Sequence, residues 1–322
     1  MPQAVSSQSI ERDLPAAEVV VHGPLTAAMA SSLCRTVRAH LETGIRQLFL
    51  NLEDVKATDV VGLASLLQSA RRAALVGVHL SVLPSPVISR ALLQGQLLDE
   101  LPLASGAGSE AALSTTALDA DRLDATTPFL ARTVRVGLRQ PAWEELALFE
   151  QWADNPLLDQ MVGSELLYRC RHLGPYHPDF VSLVLNDPTS LTLLVQPVAP
   201  HTPPVGFVRL YNIRLAEQFA FLETAVADLR AHRKGWGIEG SRLLLGYAMD
   251  ALGIRRVEAK VYAYNVLSIN SLKRNGFQQE GVLRQAKAYD GQSWDIFIFS
   301  ILEEEMLEQR KQEEFPYMGF WS

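Results

Sequence analysis

The sequence predicts an α/β chain that is built from two domains, and three observations carry this prediction. Residues 16–103 alternate short apolar strands with amphipathic helices, which is typical of a mainly parallel sheet covered by helices. Residues 104–127 consist largely of small and polar residues, as in a linker. A strand, a glycine-containing loop and a helix follow within 219–251. We therefore predict a disordered N-terminus over 1–15 and a second domain over 128–322.

Each element of the first domain is predicted from its own pattern. Thr26 can cap a helix whose apolar stripe contains Leu33 and Val37. The strand at 48–52 is almost wholly apolar, which favours burial on both faces. Inside the linker, 111–123 predicts at most a marginal helix. The expected strands are 18–23, 48–52 and 78–83, and the expected helices are 26–44, 62–75 and 87–95.

The turn between the second strand and the second helix carries a recognisable motif, with Asp59 followed by Gly62 and Leu63. This turn resembles that of STAS domains, the fold of anti-sigma-factor antagonists and of the cytoplasmic tails of sulfate transporters. In that family a serine of the turn is phosphorylated, whereas this chain has Val60 and Val61 there. Because valine has no hydroxyl group, we expect no phosphoserine switch. The domain could serve for docking, self-association or small-ligand binding, or it could be a structural support.

The second domain contains a strand at Phe219–Val226, a loop with Gly235 and Gly237, and a helix over 241–251. Closely spaced glycines let a backbone approach a phosphate, and the N–H groups at a helix start bind anions. Arg233 and Lys234 add positive charge to the loop. The alternative is an ordinary turn from a strand to a helix, because short glycine motifs are often accidental.

Several ordered motifs of the second domain resemble the GCN5-related N-acetyltransferases (GNAT) over about residues 132–305. The opening is similar to the branch that acetylates ribosomal-protein N-termini and small amines. The resemblance implies a mixed β-sheet flanked by helices, acetyl-CoA or another acyl-CoA as co-substrate, and an amine acceptor. The motifs are found at 138–141, 152–156, 223–237, 265–268, 273–277, 281–284 and 295–300.

The resemblance also implies which residues bind the acyl-CoA. His232 departs from the family, which has Gln or Arg at that position. Asn265 would bond the pantetheine arm or organise the strands around it, and the alternative is an N-cap of the following helix. The residues implied are Ala225, Val226, His232, Arg233, Lys234, Gly235, Trp236, Gly237, Ile238, Asn265 and Ser268.

Two residues are candidates for catalysis. Glu223 matches a glutamate that acts as a base or holds a water in relatives, and burial would raise its pKa toward neutrality. The alternative is an outward-facing strand residue. Many relatives have a tyrosine acid where this chain has Leu272, so Ser268 is the candidate donor to the leaving thiolate. Its alternative is a first-turn serine bonded to the backbone. We expect the acceptor pocket in loops at 163–176 and 211–218.

Bulk properties exclude several other classes of protein. The chain has 29 Lys and Arg against 36 Asp and Glu, a net charge of −7, which argues against sequence-independent nucleic-acid binding. Its two cysteines suggest neither a disulfide framework nor a metal site. The most apolar stretch, 60–83, is interrupted by Arg71, Arg72 and His79, so no membrane span is expected. We expect a cytoplasmic protein.

The sequence therefore predicts an N-acyltransferase in which an amine attacks the acyl-CoA thioester directly. The acceptor is a small amine or a protein N-terminus, and the STAS-like module regulates or docks. The alternative is a sensor or adaptor that binds acyl-CoA without turnover and acts through a protein partner.

Overall fold

The protein is described by a computed structural model over residues 15–104, 114–119, 129–199, 201–227 and 234–311. It divides into two compact units, Met1–Asp124 and Ala125–Ser322, and each unit is described by itself.

The first unit alternates strands and helices as expected. Its four strands lie in the order β3-β2-β1-β4, and every neighbouring pair is parallel. Two central pairs, Val19 with Leu50 and Leu50 with Val82, are fully buried between helices. The elements are β1 Ala16–His22, α1 Ala27–Glu42, β2 Gln47–Leu52, α2 Val60–Leu75, β3 His79–Pro84, α3 Pro86–Gln94 and β4 Ser114–Asp119.

The strand β4 corrects the prediction for the segment after the first domain. Residues 111–123 were expected to form at most a marginal helix inside a linker, but Ser114–Asp119 pairs in parallel with Ala17–His22 of β1. The open edge of β1 can form a continuous ladder of backbone hydrogen bonds with this short segment. The β-branched side chains of Thr115 and Thr116 also favour the extended conformation of a strand. A nonlocal partner therefore overrides the weak local helix preference.

Asp59 organises the turn that resembles STAS domains. Its carboxylate accepts hydrogen bonds from Gly62 N at 2.9 Å and from Ala27 N at 3.2 Å, so one side chain holds the starts of α2 and α1. Val60 and Val61 have no exposed surface. The two valines are core residues of α2, where a hydroxyl or a phosphate would lie away from water.

Gly62 provides a test of this packing. An alanine in a helix interior is normally more stable than glycine by about 1 kcal/mol. At Gly62 a Cβ atom would lie 2.0 Å from the carbonyl oxygen of Leu25, so we expect Gly62→Ala to destabilise the first unit by about 1–3 kcal/mol.

Hydrogen exchange measured by mass spectrometry on the full chain reports this loss, with peptides of the second unit as an internal reference. Gly95→Ala is the matched control, because its nearest neighbours would lie at 3.3 Å and its φ is −80°. Unchanged protection of residues 60–75 in Gly62→Ala would contradict the packing.

The second unit is a mixed sheet flanked by helices, as predicted. Eight strands lie in the order β11-β12-β10-β9-β8-β7-β6-β5, and every neighbouring pair is antiparallel except β9 with β10. The strands are β5 Ala131–Arg132, β6 Val136–Arg139, β7 Leu191–Pro197, β8 Gly206–Arg214, β9 Phe219–Val226, β10 Arg256–Tyr262, β11 Gln278–Tyr289 and β12 Gln292–Leu302. The helices are α4 Ala147–Ala153, α5 Pro156–Val162, α6 Glu165–Leu173, α7 Pro178–Leu185, α8 Trp236–Leu252, α9 Val266–Arg274 and α10 Glu303–Lys311.

An aromatic core fixes the first four of these helices on one face of the sheet. The ring of Phe149 lies 5.2 Å from Trp152, 5.8 Å from Phe180 and 5.5 Å from Phe207, between ring centroids. Edge and tilted contacts of this kind favour one arrangement of large side chains. The core therefore holds α4 and α7 against β8.

The parallel pair β9 and β10 is joined over only three residues of each strand. Phe219, Ala220 and Phe221 pair with Arg256, Val257 and Glu258, and no pairing follows although both strands continue. Beyond this point the strands separate, so a backbone edge of each strand faces a cleft in the middle of the sheet.

The described part of the chain contains no helix that has both the length and the apolar composition needed to cross a bilayer.

Candidate active site

A cavity of about 570 Å³ occupies the cleft between β9 and β10. Its walls come from the diverging halves of both strands, from α5 and α6 above the sheet, and from the first turns of α8 and α9. The lining includes Leu158, Met161, Ser164, Leu222, Glu223, Thr224, Val226, Gly237, Ile238, Lys260, Tyr262, Asn265 and Ser268. A volume of this size is typical of a small-molecule site.

The start of α8 closes one end of the cavity. Gly235 has a φ of +74° at the N-cap position and, being glycine, has no side chain that could cap the helix. The Gly237 position packs on β9, since an added Cβ atom would lie 2.6 Å from Cγ2 of Val226. Uncapped N–H groups and the positive end of the helix dipole make this end of the cavity suitable for an anion.

Two neighbours hold the loop before α8. The carbonyl oxygen of Lys234 accepts a hydrogen bond from Arg135 Nη2 at 2.6 Å, and Arg135 also forms an ion pair with Glu239 at 3.5 Å. The ammonium group of Lys234 lies 4.5 Å from the ring centroid of Trp236. The cation is therefore held beside the helix start by its own aromatic neighbour.

Asn265 fastens the opposite end of the cavity. Its side-chain oxygen accepts from Ser268 N at 3.0 Å, which caps α9, and its side-chain amide donates to Met161 O at 2.7 Å and to Ser268 Oγ at 2.8 Å. The hydroxyl of Tyr264 donates to the neighbouring carbonyl of Gln160 at 2.8 Å. The last turn of α5 is thus tied to the start of α9.

These bonds bear on one of the two roles considered for Asn265, and the role toward the pantetheine arm stays a prediction. The N-cap role is confirmed, and both amide hydrogens are engaged within the protein. Ser268 accepts one of them, so its own hydroxyl hydrogen is left for another acceptor, and accepting a hydrogen bond makes a hydroxyl a better donor.

Glu223 lies in the wall beside Arg209, its direct partner on β8. Arg209 Nη1 is 3.8 Å from Glu223 Oε2, beyond hydrogen-bond distance, and the two side chains are only 7% and 11% exposed. Among the described residues, neither Glu223 Oε1 nor Arg209 Nε has a hydrogen-bond partner. The carboxylate is therefore buried beside a cation without being fully satisfied.

Burial is the main cause of a raised pKa for Glu223, and the nearby positive charge of Arg209 opposes the rise. A side-chain hydrogen bond with Ser164 also lowers the pKa, by a smaller amount. Burial also raises the pKa of Tyr211 to about 12, with the charge of Glu223 as the next cause. Tyr211 therefore stays neutral, whereas the pKa of Glu223 is raised toward the range in which a carboxylate can exchange protons near neutral pH.

The structure brings most of the predicted residues to this cavity. Glu223, Val226, Gly235, Gly237, Ile238, Asn265 and Ser268 line it, and Lys234 and Trp236 stand at the start of α8 beside it. The side chain of Ala225 does not line the cavity: it lies on the same face of β9 as Glu223 but packs in the core with Phe149 and Phe207. His232 and Arg233 lie outside the described residues.

Several cavity residues are not predicted by the sequence, namely Arg209, Lys260 and Tyr262. The sequence could have indicated Arg209, because a charged residue within the largely apolar strand Gly206–Arg214 is unusual. No local sequence pattern indicates Tyr262, because its hydroxyl packs against Gly163, which is far away in the sequence.

The segments expected to form the acceptor pocket supply Gly163, Ser164, Glu165 and Tyr211 to the cavity lining, but they are not loops throughout. Residues 163–176 contain the helix α6, which Ser164 caps through Leu167 N at 3.2 Å, and 211–214 continue β8. Helix formation follows from the cap and from the pair Glu165–Arg169 one turn apart. Within the described ranges, no group of three or more His, Cys, Asp or Glu side chains could hold a metal ion.

Comparison with known families assigns both units. The family described as Acetyltransferase (GNAT) domain matches residues 135–278, and the family described as STAS domain matches residues 8–108. The chain therefore carries a STAS domain followed by a GNAT acetyltransferase domain.

Individual relatives agree with the second assignment over part of their length. An uncharacterized N-acetyltransferase p20 of Bacillus licheniformis is 38% identical over 72 residues, 22% of this chain and 40% of that protein. A probable N-acetyltransferase of Bacillus subtilis, YjcK, is 34% identical over 99 residues, 30% of this chain and 54% of that protein. This chain thus spans about half the length of these relatives or less.

Among solved structures, a spermidine N-acetyltransferase from Vibrio cholerae in complex with CoA and spermine is 17% identical to this chain. The match covers 54% of this chain and 99% of that chain, with a TM-score of 0.47.

Substitutions at Asn265 test how strongly its hydrogen bond to Met161 O, which connects α5 with the start of α9, stabilises the domain. Asp is as good an N-cap as Asn, but it cannot donate to Met161 O. We expect Asn265→Asp to destabilise the second domain by about 1–2 kcal/mol and Asn265→Ala by about 2 kcal/mol or more.

Urea unfolding followed by tryptophan fluorescence measures the effect, since all five Trp residues lie after residue 128. Asn155→Asp is the control, because the Asn155 side chain is half-buried and caps α5 by accepting from Leu157 N at 3.0 Å. Equal stability of Asn265→Asp and the wild type would show that the bond to Met161 contributes nothing.

Proposed function

We propose that the second domain is an acyl-CoA-dependent N-acyltransferase, with acetyl-CoA as the simplest donor, whose reaction takes place in the cleft between β9 and β10. The observation that carries the proposal is the cleft itself. It combines an uncapped helix start, two unpaired strand edges and a buried carboxylate within one cavity.

The donor would lie along the cleft with its pyrophosphate on the first turn of α8. The N–H groups around Gly237 and the helix dipole favour the anion, and Lys234 and Arg274 supply cations at this end. The amide groups of the pantetheine arm would pair with the edge of β9 beyond Phe221, where no strand is paired. The thioester then reaches the level of Glu223 and Ser268.

The reaction we propose is direct attack of a neutral amine on the thioester carbonyl. The new C–N bond forms, the C–S bond breaks, and the amine loses one proton while the CoA thiolate gains one. Glu223 would accept the amine proton, and its raised pKa suits this task near neutral pH. Ser268 would donate to the departing sulfur, with its oxygen held by Asn265.

A second candidate is an acyl-CoA sensor that binds the donor without turnover. It is favoured by Leu272, a cavity residue that offers no acid where many relatives have a tyrosine. Under either function we propose that the STAS domain docks a partner or a second copy, since Val60 and Val61 are buried and carry no hydroxyl. Two buried free cysteines, Cys34 and Cys170, support a reducing, cytoplasmic location.

Gly237 tests the donor site. A valine there must displace either Val226 or the first turn of α8, because the added Cβ atom lies 2.6 Å from Val226 Cγ2. We expect Gly237→Val to weaken binding of acetyl-CoA by about tenfold or more, equivalent to ~1.4 kcal/mol. Isothermal titration calorimetry gives the dissociation constant.

The control is Gly281→Ala on β11, where an added Cβ atom approaches nothing closer than 4.0 Å. Wild-type affinity in a folded Gly237→Val protein would place the pyrophosphate elsewhere.

Glu223 and Ser268 test the chemistry. Because the base must be ionised and its pKa is raised, kcat/KM should increase with pH through a value above the ordinary glutamate range. Glu223→Gln should abolish this increase of kcat/KM with pH. Glu223→Gln and Ser268→Ala should each lower kcat by about 10²–10⁴-fold. Affinity for acetyl-CoA should stay within a few-fold.

The measurement is release of the CoA thiol across a pH series, with acceptor amines of different pKa to separate the ionisation of the amine from that of Glu223. Ser182→Ala, on the exposed surface of α7, is the control. Full turnover in both active-site variants would show that catalysis comes from positioning the substrates and not from Glu223 and Ser268.

A further inference from the structure

We infer that the acceptor of the proposed transfer is a small amine that also carries a carboxylate or phosphate group, bound by Lys260 and Lys287. The inference rests on the proposed function and adds the substrate class. Both lysines belong to one side of the second sheet, here called the acceptor face, which also carries Phe221, Glu223 and Tyr262.

The acceptor face is identified by its contacts. Phe221 of β9 pairs with Glu258 of β10, so strand alternation places Glu223 on the same face as Tyr262, whose hydroxyl lies against Gly163 in the turn between α5 and α6. Lys260 precedes Tyr262 by two residues on β10 and therefore points to the same side. Lys260 and Tyr262 both line the cavity.

Aromatic rings hold both ammonium groups: Lys260 itself lines the cavity, and Lys287 lies over the ring of Tyr262, which lines it. Lys260 Nζ lies 5.1 Å from the ring centroid of Phe221, the last residue of β9 that pairs with β10. Lys287 Nζ lies 4.7 Å from the ring centroid of Tyr262, in the opposite wall. A cation held over a ring keeps its full charge, so it can still bind an anion.

The carboxylates near this face each lie beside a cation or a backbone N–H group. Glu223 faces Arg209 at 3.8 Å, Glu258 pairs with Arg256 at 2.7 Å, and Glu165 pairs with Arg169 at 2.8 Å. The side chain of Asp295 accepts from the backbone N–H of Gln285 at 2.8 Å.

Within the described ranges, neither Lys260 nor Lys287 has a carboxylate at ion-pair distance. The acceptor face thus keeps two positive charges that no carboxylate of the described residues compensates.

This charge pattern selects among amines. An acceptor with an anionic group gains an ion pair in a partly enclosed cavity, whereas a polyamine brings further positive charge toward two lysines. The cavity of about 570 Å³ must also hold the acyl end of the donor, which favours a small acceptor over a folded protein. Glu223 beside the cleft is then free to take the proton of the attacking amine.

The test measures CoA thiol release by the full-length protein with matched amines at fixed acetyl-CoA. The panel contains glutamate, phosphoethanolamine, ethanolamine, spermidine and a short peptide with an acidic N-terminus. We expect the highest kcat/KM for one of the two small anionic amines. Glutamate and phosphoethanolamine distinguish a carboxylate from a phosphate.

Variants of the two lysines then identify the binding groups. Lys260→Glu and Lys287→Glu should each raise KM for the preferred anionic amine by about tenfold or more, with little change in kcat, in the KM for ethanolamine or in the affinity for acetyl-CoA. Lys260→Gln and Lys287→Gln are milder versions if the reversals prevent folding. Lys56→Glu makes the same charge change in the first domain and serves as the control.

The possible outcomes are distinct. Preference for spermidine or ethanolamine, or an unchanged KM in the lysine variants, overturns the inference and leaves the transferase function intact. Preference for the acidic peptide replaces the small acceptor by a protein N-terminus. Absence of turnover with every amine, despite calorimetric binding of acetyl-CoA, refutes the transferase function and the inference together.

Discussion

The separation of β9 from β10 after three paired residues is the constraint on which the second domain depends. A continuous parallel pair would bury both backbone edges and leave no room between Leu222 and Ala259. Because the strands part, the sheet contains a cleft lined by backbone groups, which would be costly in a closed core. The helix start at Gly235, the buried Glu223 and the cap at Asn265 all act within this opening.

Helix α5 keeps the opening in place. It is short, and its last carbonyls are bonded by Tyr264 and Asn265 from the loop that follows β10. At its end, Gly163 has a φ of +59° and leaves space for the hydroxyl of Tyr262. The two walls of the cavity are thus joined through α5 rather than through the sheet, which explains why residues far apart in the sequence share one site.

Much of this arrangement could be predicted from the sequence, and the failures share a physical cause. The strand Phe219–Val226 is a local pattern and is where the sequence indicates, whereas the helix predicted over 241–251 already begins at Trp236, so Gly237 lies in its first turn and not in a loop. The strand Ser114–Asp119 exists because β1 has an open edge, and the partnership of Arg209 with Glu223 depends on strand register. Register and nonlocal pairing are set by tertiary packing, which local periodicity does not encode.

In the first domain, the carboxylate of Asp59 links the two helices α1 and α2. Asp59 bonds the starts of both α1 and α2, and Gly62 lets α2 rest directly on the backbone of Leu25, just before α1. Because the same carboxylate bonds both helix starts, a shift of α1 at its first turn is passed directly to the first turn of α2, where Val60 and Val61 lie.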